Sequence, residues 1–390
     1  MLVGIIHKEV ETLMEVITLS QQEVTRYRVI KGTIDRKISN REASRLLGIS
    51  MRQIIRIKNK VRRVDIKGIV HGNRGRRPKV AIENGTKEEI LNLYQNRYKG
   101  FNVSHFGEFL IEVHGIEVSR ETLRKLLLSS GLRTKSKSAP KHRTRRARMP
   151  RGGLLVQMDS SEHKWLEDNT IWLIATIDDA TGEVPYALLV DSDSTENNMR
   201  VIKKLIERKG LPTALYTDGA SHFTTQRYYS YRVNLKYDYG PTQIERALNE
   251  LGCGLIIAQS PQAKGRIERL FGTLQDRLLK ELKLYKISTI VKANNYLNNK
   301  FLPKFNKKFS NPAKDPESAW RVVPKQLDLE SIFSIKEQRT VRADNTISYK
   351  NRIFQILPDK YRISFAKAKV MVEKRLDESI HIKYKDQYLN

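Results

Sequence analysis

The chain has 390 residues, 39% hydrophobic and 29% charged, the proportions of a globular protein with a sizeable core and room for roughly two to four folding units. No run reaches the ~20 consecutive apolar residues of a membrane span, and the apolar opening at 1–6 is cut short by His7, Lys8 and Glu9, unlike a signal peptide. One cysteine, Cys253, excludes a disulfide framework or a zinc site of several thiolates, and a formal charge of +29 points to a polyanionic partner, nucleic acid before a membrane surface.

The first patterned segment, REASRLLGIS at 41–50 followed by MRQIIRIK at 51–58, has helix–turn–helix grammar. Ala43, Leu46 and Leu47 form an apolar stripe, Gly48 makes the turn and Ser50 caps a second helix. Met51, Ile54, Ile55 and Val61 are expected to face a core, leaving Gln53 and Arg56 outward, where side chains reach base edges in a major groove. The plainer alternative is a helical hairpin with a basic face. A break at 72–78, GNRGRRP, follows, and within it RGRRP at 74–78 is a compact basic turn resembling an AT-hook with an extra arginine before its proline. Arg74, Arg76 and Arg77 suit a narrow minor groove, or form an ordinary linker.

A second helical unit is expected to start at the capping-box pattern TKEE, 86–89. Phe106, Phe109, Leu110 and Val113 precede a His114-Gly115 turn, and SRETLRKLLL at 119–128 runs to a stop at Gly131. The order is again helix–turn–helix, with Arg120, Arg124 and Lys125 on the exposed face; a three-helix packing unit would read the same way. Between Arg133 and Arg151 lies the densest basic run, nine Lys and Arg with no acid, broken by Pro140 and Pro150. It reads as an extended linker, with Arg143, Arg145 and Arg146 as candidate DNA contacts.

Charge then changes character. Residues 152–283 hold 16 Lys and Arg against 18 Asp and Glu, a net of −2, so the remainder carries +31. A near-neutral middle between basic flanks suggests chemistry in the centre and polyanion grip outside it. Strands are expected at 154–159, 171–177 and 184–190 as a meander joined by a turn at Asp178 and Asp179, then a helix at 197–208, a strand at 212–218, a helix at 244–251 and a strand at 255–258. A long helix beginning at Ser260-Pro261 buries Ile267, Leu270, Leu274, Leu278 and Leu282. This succession indicates an α/β domain with a mixed sheet. Trp165 and Trp172 read as core.

Two of these strands end in an aspartate, Asp159 and Asp218, and Glu268 lies near the start of the long helix, with 58 and 49 residues in the two gaps. If they converge at the sheet edge, three hard carboxylates can hold two Mg2+ or Mn2+ ions about 3.5–4 Å apart, the arrangement that activates a water or a 3′-hydroxyl against a phosphodiester. Singly, each aspartate reads as a turn cap, and Lys264 with Glu268 as a surface i,i+4 pair. Lys264 and Arg266 are candidate phosphate contacts. His163 is either an active-site neighbour or a structural hydrogen-bonding histidine, and Glu162 is a weaker candidate beside it.

Beyond 286 a helical, Asn- and Lys-rich connector leads through Pro312, Pro316 and Pro324 to alternating segments at 352–357, 370–372 and 380–384, which suggest a small β-barrel with a basic surface. The expected organisation is 1–72 first helix–turn–helix domain, 73–85 basic linker, 86–133 second helix–turn–helix domain, 134–151 basic linker, 152–285 catalytic domain, 286–336 connector and 337–390 β domain.

QMD at 157–159, YTDG at 216–219 and SPQAKGRIE at 260–268 resemble the three signature blocks of DDE transposases and retroviral-type integrases. Together with the paired helix–turn–helix front, they are similar to ISNCY-type insertion-sequence transposases. The resemblance implies a ribonuclease H-like catalytic fold with a mixed five-stranded sheet, in which Asp159, Asp218 and Glu268 are catalytic and bind two Mg2+ or Mn2+ ions. It implies an enzyme that binds the terminal inverted repeats of its element, hydrolyses the 3′ ends and joins them to target DNA by transesterification. Double-stranded DNA and further copies of the chain, at least a dimer, would be its partners, in a bacterial cytoplasm and nucleoid. The second gap is longer than in the simplest integrase pattern, and an insert at 224–242, rich in Tyr and Arg, accounts for it. The rival readings are a non-catalytic DNA-binding regulator derived from such an enzyme and a ribonuclease H-like nuclease that cuts without joining.

Overall fold

The computed structural model describes residues 19–74, 82–134, 147–166, 169–225, 240–258, 264–358, 362–385 and 387–389. They fall into two units, one within Met1–Glu83 and one within Asn84–Asn390.

Among its described residues the first unit has three α-helices where the sequence suggested two. Helix α1 (Gln21–Ile34) opens on a Ser20/Glu23 capping box, α2 (Asn40–Leu47) is capped by Ser39 and stops at Gly48, whose φ of 64° suits glycine, and α3 (Met51–Val64) is capped by Ser50. The added helix decides which stripe is buried: Ile30 of α1 packs with Ala43, Ile54, Ile57 and Val61. Leu46, Met51 and Ile55, expected inside, are exposed instead, and Ile57 takes the core position at i+3 from Ile54. Gln53 and Arg56 face outward as expected. Arg74 is paired with Glu23 at 3.2 Å, while Arg76 and Arg77 lie outside the described residues.

The second unit begins with α4 (Asn84–Asn96), which starts two residues before the capping-box pattern, then α5 (Val103–His114) and α6 (Arg120–Ser129). Tyr94, Tyr98, Phe101, Phe106 and Phe109 form their aromatic core, and Val113 is exposed. Among the candidate contacts, Arg120 and Lys125 are exposed and Arg124 is half-buried; Arg143, Arg145 and Arg146 lie outside the described residues.

The central sheet follows the expected order. Strands β1 (Leu155–Leu166), β2 (Asn169–Asp178) and β3 (Ala187–Val190) form an antiparallel meander; β4 (Ala214–Thr217) runs parallel to β1 and β5 (Gly254–Ile257) parallel to β4, giving β3-β2-β1-β4-β5. Period-two alternation sends Val156, Met158 and Ile174 towards α7 (Thr195–Lys209) and α8 (Gln243–Glu250). Trp165, Leu173, Ala175 and Ile177 go to the opposite face, against α9 (Gly265–Leu284), α10 (Ile290–Tyr296) and α11 (Leu302–Phe309). Trp165 is core; Trp172 is only partly buried.

The β3 edge of this sheet is covered by asparagines. Asn294 bonds both the N–H and the carbonyl of Leu189, at 2.7 and 2.8 Å, Asn298 donates to the Ala187 carbonyl at 2.8 Å, and Asn306 bonds both groups of Val184 at 2.9 Å. These amides take the place of a sixth strand. The π-helical turn Leu297–Phe301 lies between α10 and α11 and carries Asn298.

The chain then continues through α12 (Leu329–Ile332) to β6 (Ile335–Thr340), β7 (Thr346–Tyr349), β8 (Arg352–Gln355), β9 (Lys369–Lys374), β10 (Ile380–Tyr384) and β11 (Gln387–Leu389). The described strands form a four-stranded sheet, β11-β10-β9-β6, and a separate β7–β8 hairpin around one core that includes Ile347, Tyr349, Phe365 and Val372. No helix among the described residues is long and apolar enough to cross a membrane.

Candidate active site

The site is set by where two strands stop pairing. The parallel β1–β4 ladder runs from Leu155↔Ala214 to Gln157↔Tyr216. Asp218 follows the last residue of β4, as expected. Asp159 does not end its strand: β2 holds β1 in antiparallel register well past it, to Lys164↔Thr170, so Asp159 sits mid-strand. The two are nevertheless neighbours, because Asp159 lies just beyond the last β4 partner, on the flank that β4 has vacated.

Their carboxylates meet at a cation. Lys264 Nζ lies 2.7 Å from Asp159 Oδ1 and 3.4 Å from Asp218 Oδ2, with the side chains of Lys264, Asp159 and Asp218 9%, 18% and 47% exposed. The backbone N–H of Ser160 donates to Asp159 Oδ1 at 3.0 Å and that of Ala220 to Asp218 Oδ1 at 3.1 Å. Burial pushes the Asp159 carboxyl above its ordinary range, Lys264 pulls it back, and the negative charge of Asp218 adds to the push.

Lys264 stands at the N-cap position of α9, whose described turns run from Gly265; Ser260 and Pro261, where the helix was expected to begin, lie outside the described residues. Glu268 is in the first turn of α9, one turn beyond Lys264 and exposed. The ion pairs of Lys264 run to the two aspartates and not to Glu268. Among the described residues, no three His, Cys, Asp or Glu side chains lie close enough as they stand to hold a metal ion. The structure thus brings together two of the three expected carboxylates, with the third on the adjoining helical turn.

Arg266, expected as a phosphate contact, is ion-paired at 2.8 Å with Asp179, which is fully buried. Asp179 also accepts from Gln157 Nε2 at 2.7 Å and from the Met149 N–H at 2.9 Å. Asp178 closes the turn as expected, accepting from Thr181 N at 2.8 Å and from Gly153 N at 2.7 Å. Asp179 instead ties β1, two residues before Asp159, to the first turn of α9. Sequence reading missed this, and the one available signal was the meander register, which sets the end of β2 beside the start of β1. Asp193 was missed as well: it accepts from the hydroxyl of Ser160, the residue after Asp159, at 2.7 Å and lies 3.7 Å from His222 Nε2, four residues beyond Asp218. His163 stands four residues beyond Asp159 along β1, about 13 Å at ~3.3 Å per residue. Its ring meets Trp165 edge-on at 5.5 Å. Glu162 is exposed.

The outer side of α9 continues from Glu268 into a cleft of about 1000 Å³ facing α5 and α6, lined by Arg120, Arg124, Arg133, Arg269, Thr273 and Asp276 among others. One wall of that cleft is fixed by buried charge. Glu108 of α5 receives two bonds from Arg277, at 2.7 and 2.9 Å, and one contact from Lys308 at 2.5 Å; His105 meets Glu281 at 2.8 Å, and Asn102 bonds Asp276.

The chain is 33% identical over 344 residues to "Putative transposase y4bF" of Sinorhizobium fredii, covering 87% of this chain and 74% of that protein. It is 31% identical over 401 residues to the transposase for insertion sequence IS1202 of Streptococcus pneumoniae, covering 94% and 85%. The chain belongs to the transposases. No family model matches it. Among solved structures, the transposase is similar to the HTLV-2 integrase catalytic core domain in complex with magnesium, with 16% identity and a TM-score of 0.30 over 38% of this chain and 84% of that one. It is also similar to a chain of the simian T-cell lymphotropic virus intasome in complex with PP2A regulatory subunit B56 gamma, with 14% identity and a TM-score of 0.33 over 74% and 95%. The mixed five-stranded sheet between two helical layers fits the ribonuclease H-like core that the sequence motifs imply.

Proposed function

We propose that this transposase cleaves the 3′ ends of its element and joins them to target DNA at a divalent-metal centre formed by Asp159, Asp218 and Glu268. The observation that carries the reading is the shared cation position: carboxylates of β1 and of the residue after β4, with 58 residues between them in the chain, both reach one ammonium group at the end of the β1–β4 ladder. A position that draws a positive charge to two hard oxygen donors fits Mg2+ or Mn2+, with Glu268 as the third donor one helical turn away. When bound there, two such ions would lower the pKa of an attacking water or 3′-hydroxyl and offset charge on the departing oxygen.

The protein's own part is placement. The Ser160 and Ala220 N–H groups orient one oxygen of each aspartate, and the lone pairs now turned to Lys264 are those a metal would take. The Gln157–Asp179–Arg266 chain holds the first turn of α9, and with it Glu268, against β1. The cleft lined by Arg120, Arg124, Arg133 and Arg269 supplies positive charge along α9 beside Glu268, where a phosphate backbone would lie. Helix α3, with Gln53 and Arg56 outward after a Gly48 turn, serves as a recognition helix, and α6 with Arg120, Arg124 and Lys125 as a second DNA-binding face. Arg74, Arg76 and Arg77, and Arg143, Arg145 and Arg146, extend that grip from the two basic linkers. Two element ends must be held together for joining, so the working form is at least a dimer.

The reading is tested with labelled duplexes carrying the terminal repeats that flank its coding sequence, incubated with target plasmid and Mg2+. Joined strands are expected. Hydrolysis without joining would mark a nuclease, and sequence-specific binding without any cleavage would mark a regulator.

A further inference from the structure

The cation position at the centre of the site is filled by the chain itself. Lys264 contributes an ammonium that touches both Asp159 and Asp218, yet it stands at the amino-terminal end of a 20-residue helix, where the helix dipole disfavours a positive charge. Among the described residues, its ion pairs to the two carboxylates offset that cost. The carboxylates in turn gain from it, since two anions brought together on a part-buried strand flank repel each other. Arg266, two residues further on, is engaged with Asp179.

We propose that Lys264 is a built-in counter-ion that occupies the divalent-ion position and must be displaced when the metal binds, after which its ammonium is free for a DNA phosphate. This rests on the reading of Asp159 and Asp218 as metal ligands. The two occupants exclude each other. A Mg2+ or Mn2+ ion bound to the same oxygens at about 2.0–2.2 Å would lie against Nζ, a contact between like charges with no room for an intervening ligand. A lysine suits the exchange better than an arginine, because its compact charge sits on a flexible four-carbon stem and makes no planar, two-pronged bond that would have to break as a unit. The measured metal affinity of the DNA-free protein is therefore the intrinsic affinity reduced by the fraction of molecules in which Lys264 has swung away.

The test is Mn2+ binding to the full chain without DNA, measured by titration calorimetry and by the Mn2+-induced rise in melting temperature. Lys264→Met is expected to bind Mn2+ about tenfold more tightly than the parent, to melt lower in EDTA and to gain more from Mn2+. Lys264→Arg, which keeps the charge and holds it more rigidly, should bind Mn2+ no more tightly than the parent, and Lys264→Gln provides a second neutral variant should the methionine disturb folding. Unchanged or weaker Mn2+ binding in both neutral variants overturns the proposal. Asp159→Asn separates the two claims. If it abolishes Mn2+ binding while the neutral lysine variants change nothing, only the role of Lys264 falls. If Mn2+ binding does not depend on Asp159, the metal-site reading falls and takes the lysine with it.

Discussion

Asp179→Asn gives the sharpest test of how the site is held together. Asp179 is buried without exposed surface and accepts, among others, from the Arg266 guanidinium at 2.8 Å, Gln157 Nε2 at 2.7 Å and the Met149 N–H at 2.9 Å. The amide preserves shape but removes the charge, and its NH2 group must face at least one donor. Removing one partner of a buried ion pair typically costs about 3–5 kcal/mol, because the other charge is left uncompensated. That is a large share of the ~5–15 kcal/mol that usually separates folded from unfolded protein. Urea unfolding of the parent, Asp179→Asn, Arg266→Met and the double variant measures it as a cycle. The double variant is expected to be more stable than the two single losses added together, with a coupling of about 1–3 kcal/mol. The single variants should also lose strand joining beyond their loss of folded protein, because the first turn of α9 would no longer be fixed to β1. Losses that add to within about 0.5 kcal/mol would refute the strut.

Two further outcomes follow from charge. Burial alone would raise the Glu108 carboxyl, but the bonds from Arg277 and Lys308 hold it below its ordinary value of 4.5. Its contribution to stability is therefore complete above that pH and is lost as the pH falls from 4.5 through the depressed folded value. Melting temperatures of the parent and Glu108→Gln should differ at pH 6–7 and converge as acid is added below about 4.5; a constant difference would show that the joint between α5 and α9 does not depend on this charge. DNA affinity should be steeply salt-dependent: with some 6–10 phosphates contacted, binding falls by about 10³–10⁵ between 50 and 200 mM salt. A flat response in a mobility-shift titration would count against the basic flanks as DNA grips.

Local periodicity made the catalytic core readable. Val156, Met158 and Ile174 against Leu173, Ala175 and Ile177 divide the sheet into two faces, and Ile267, Leu270, Leu274, Leu278 and Leu282 all lie in the buried stripe of α9. What stayed hidden depends on pairings between distant segments. Asp159 looked strand-terminal because the apolar run stops there, whereas strand length is set by the hairpin with β2. Lys264 and Glu268, four apart on one helix, suggested a local pair, but the lysine spans to two strands. The Glu108–Arg277 joint links residues 169 positions apart, so no local pattern announces it. In the first unit, Leu46, Met51 and Ile55 were expected inside because α1, which selects the buried face, was not recognised.

The most direct measurement is strand joining by purified full-length Asp159→Asn, Asp218→Asn and Glu268→Gln on end duplexes in Mg2+ and Mn2+, with DNA binding followed in parallel. Each variant should keep its affinity for end DNA and lose joining in both metals. Parental joining by any one of the three would show that its carboxylate is not part of the metal centre.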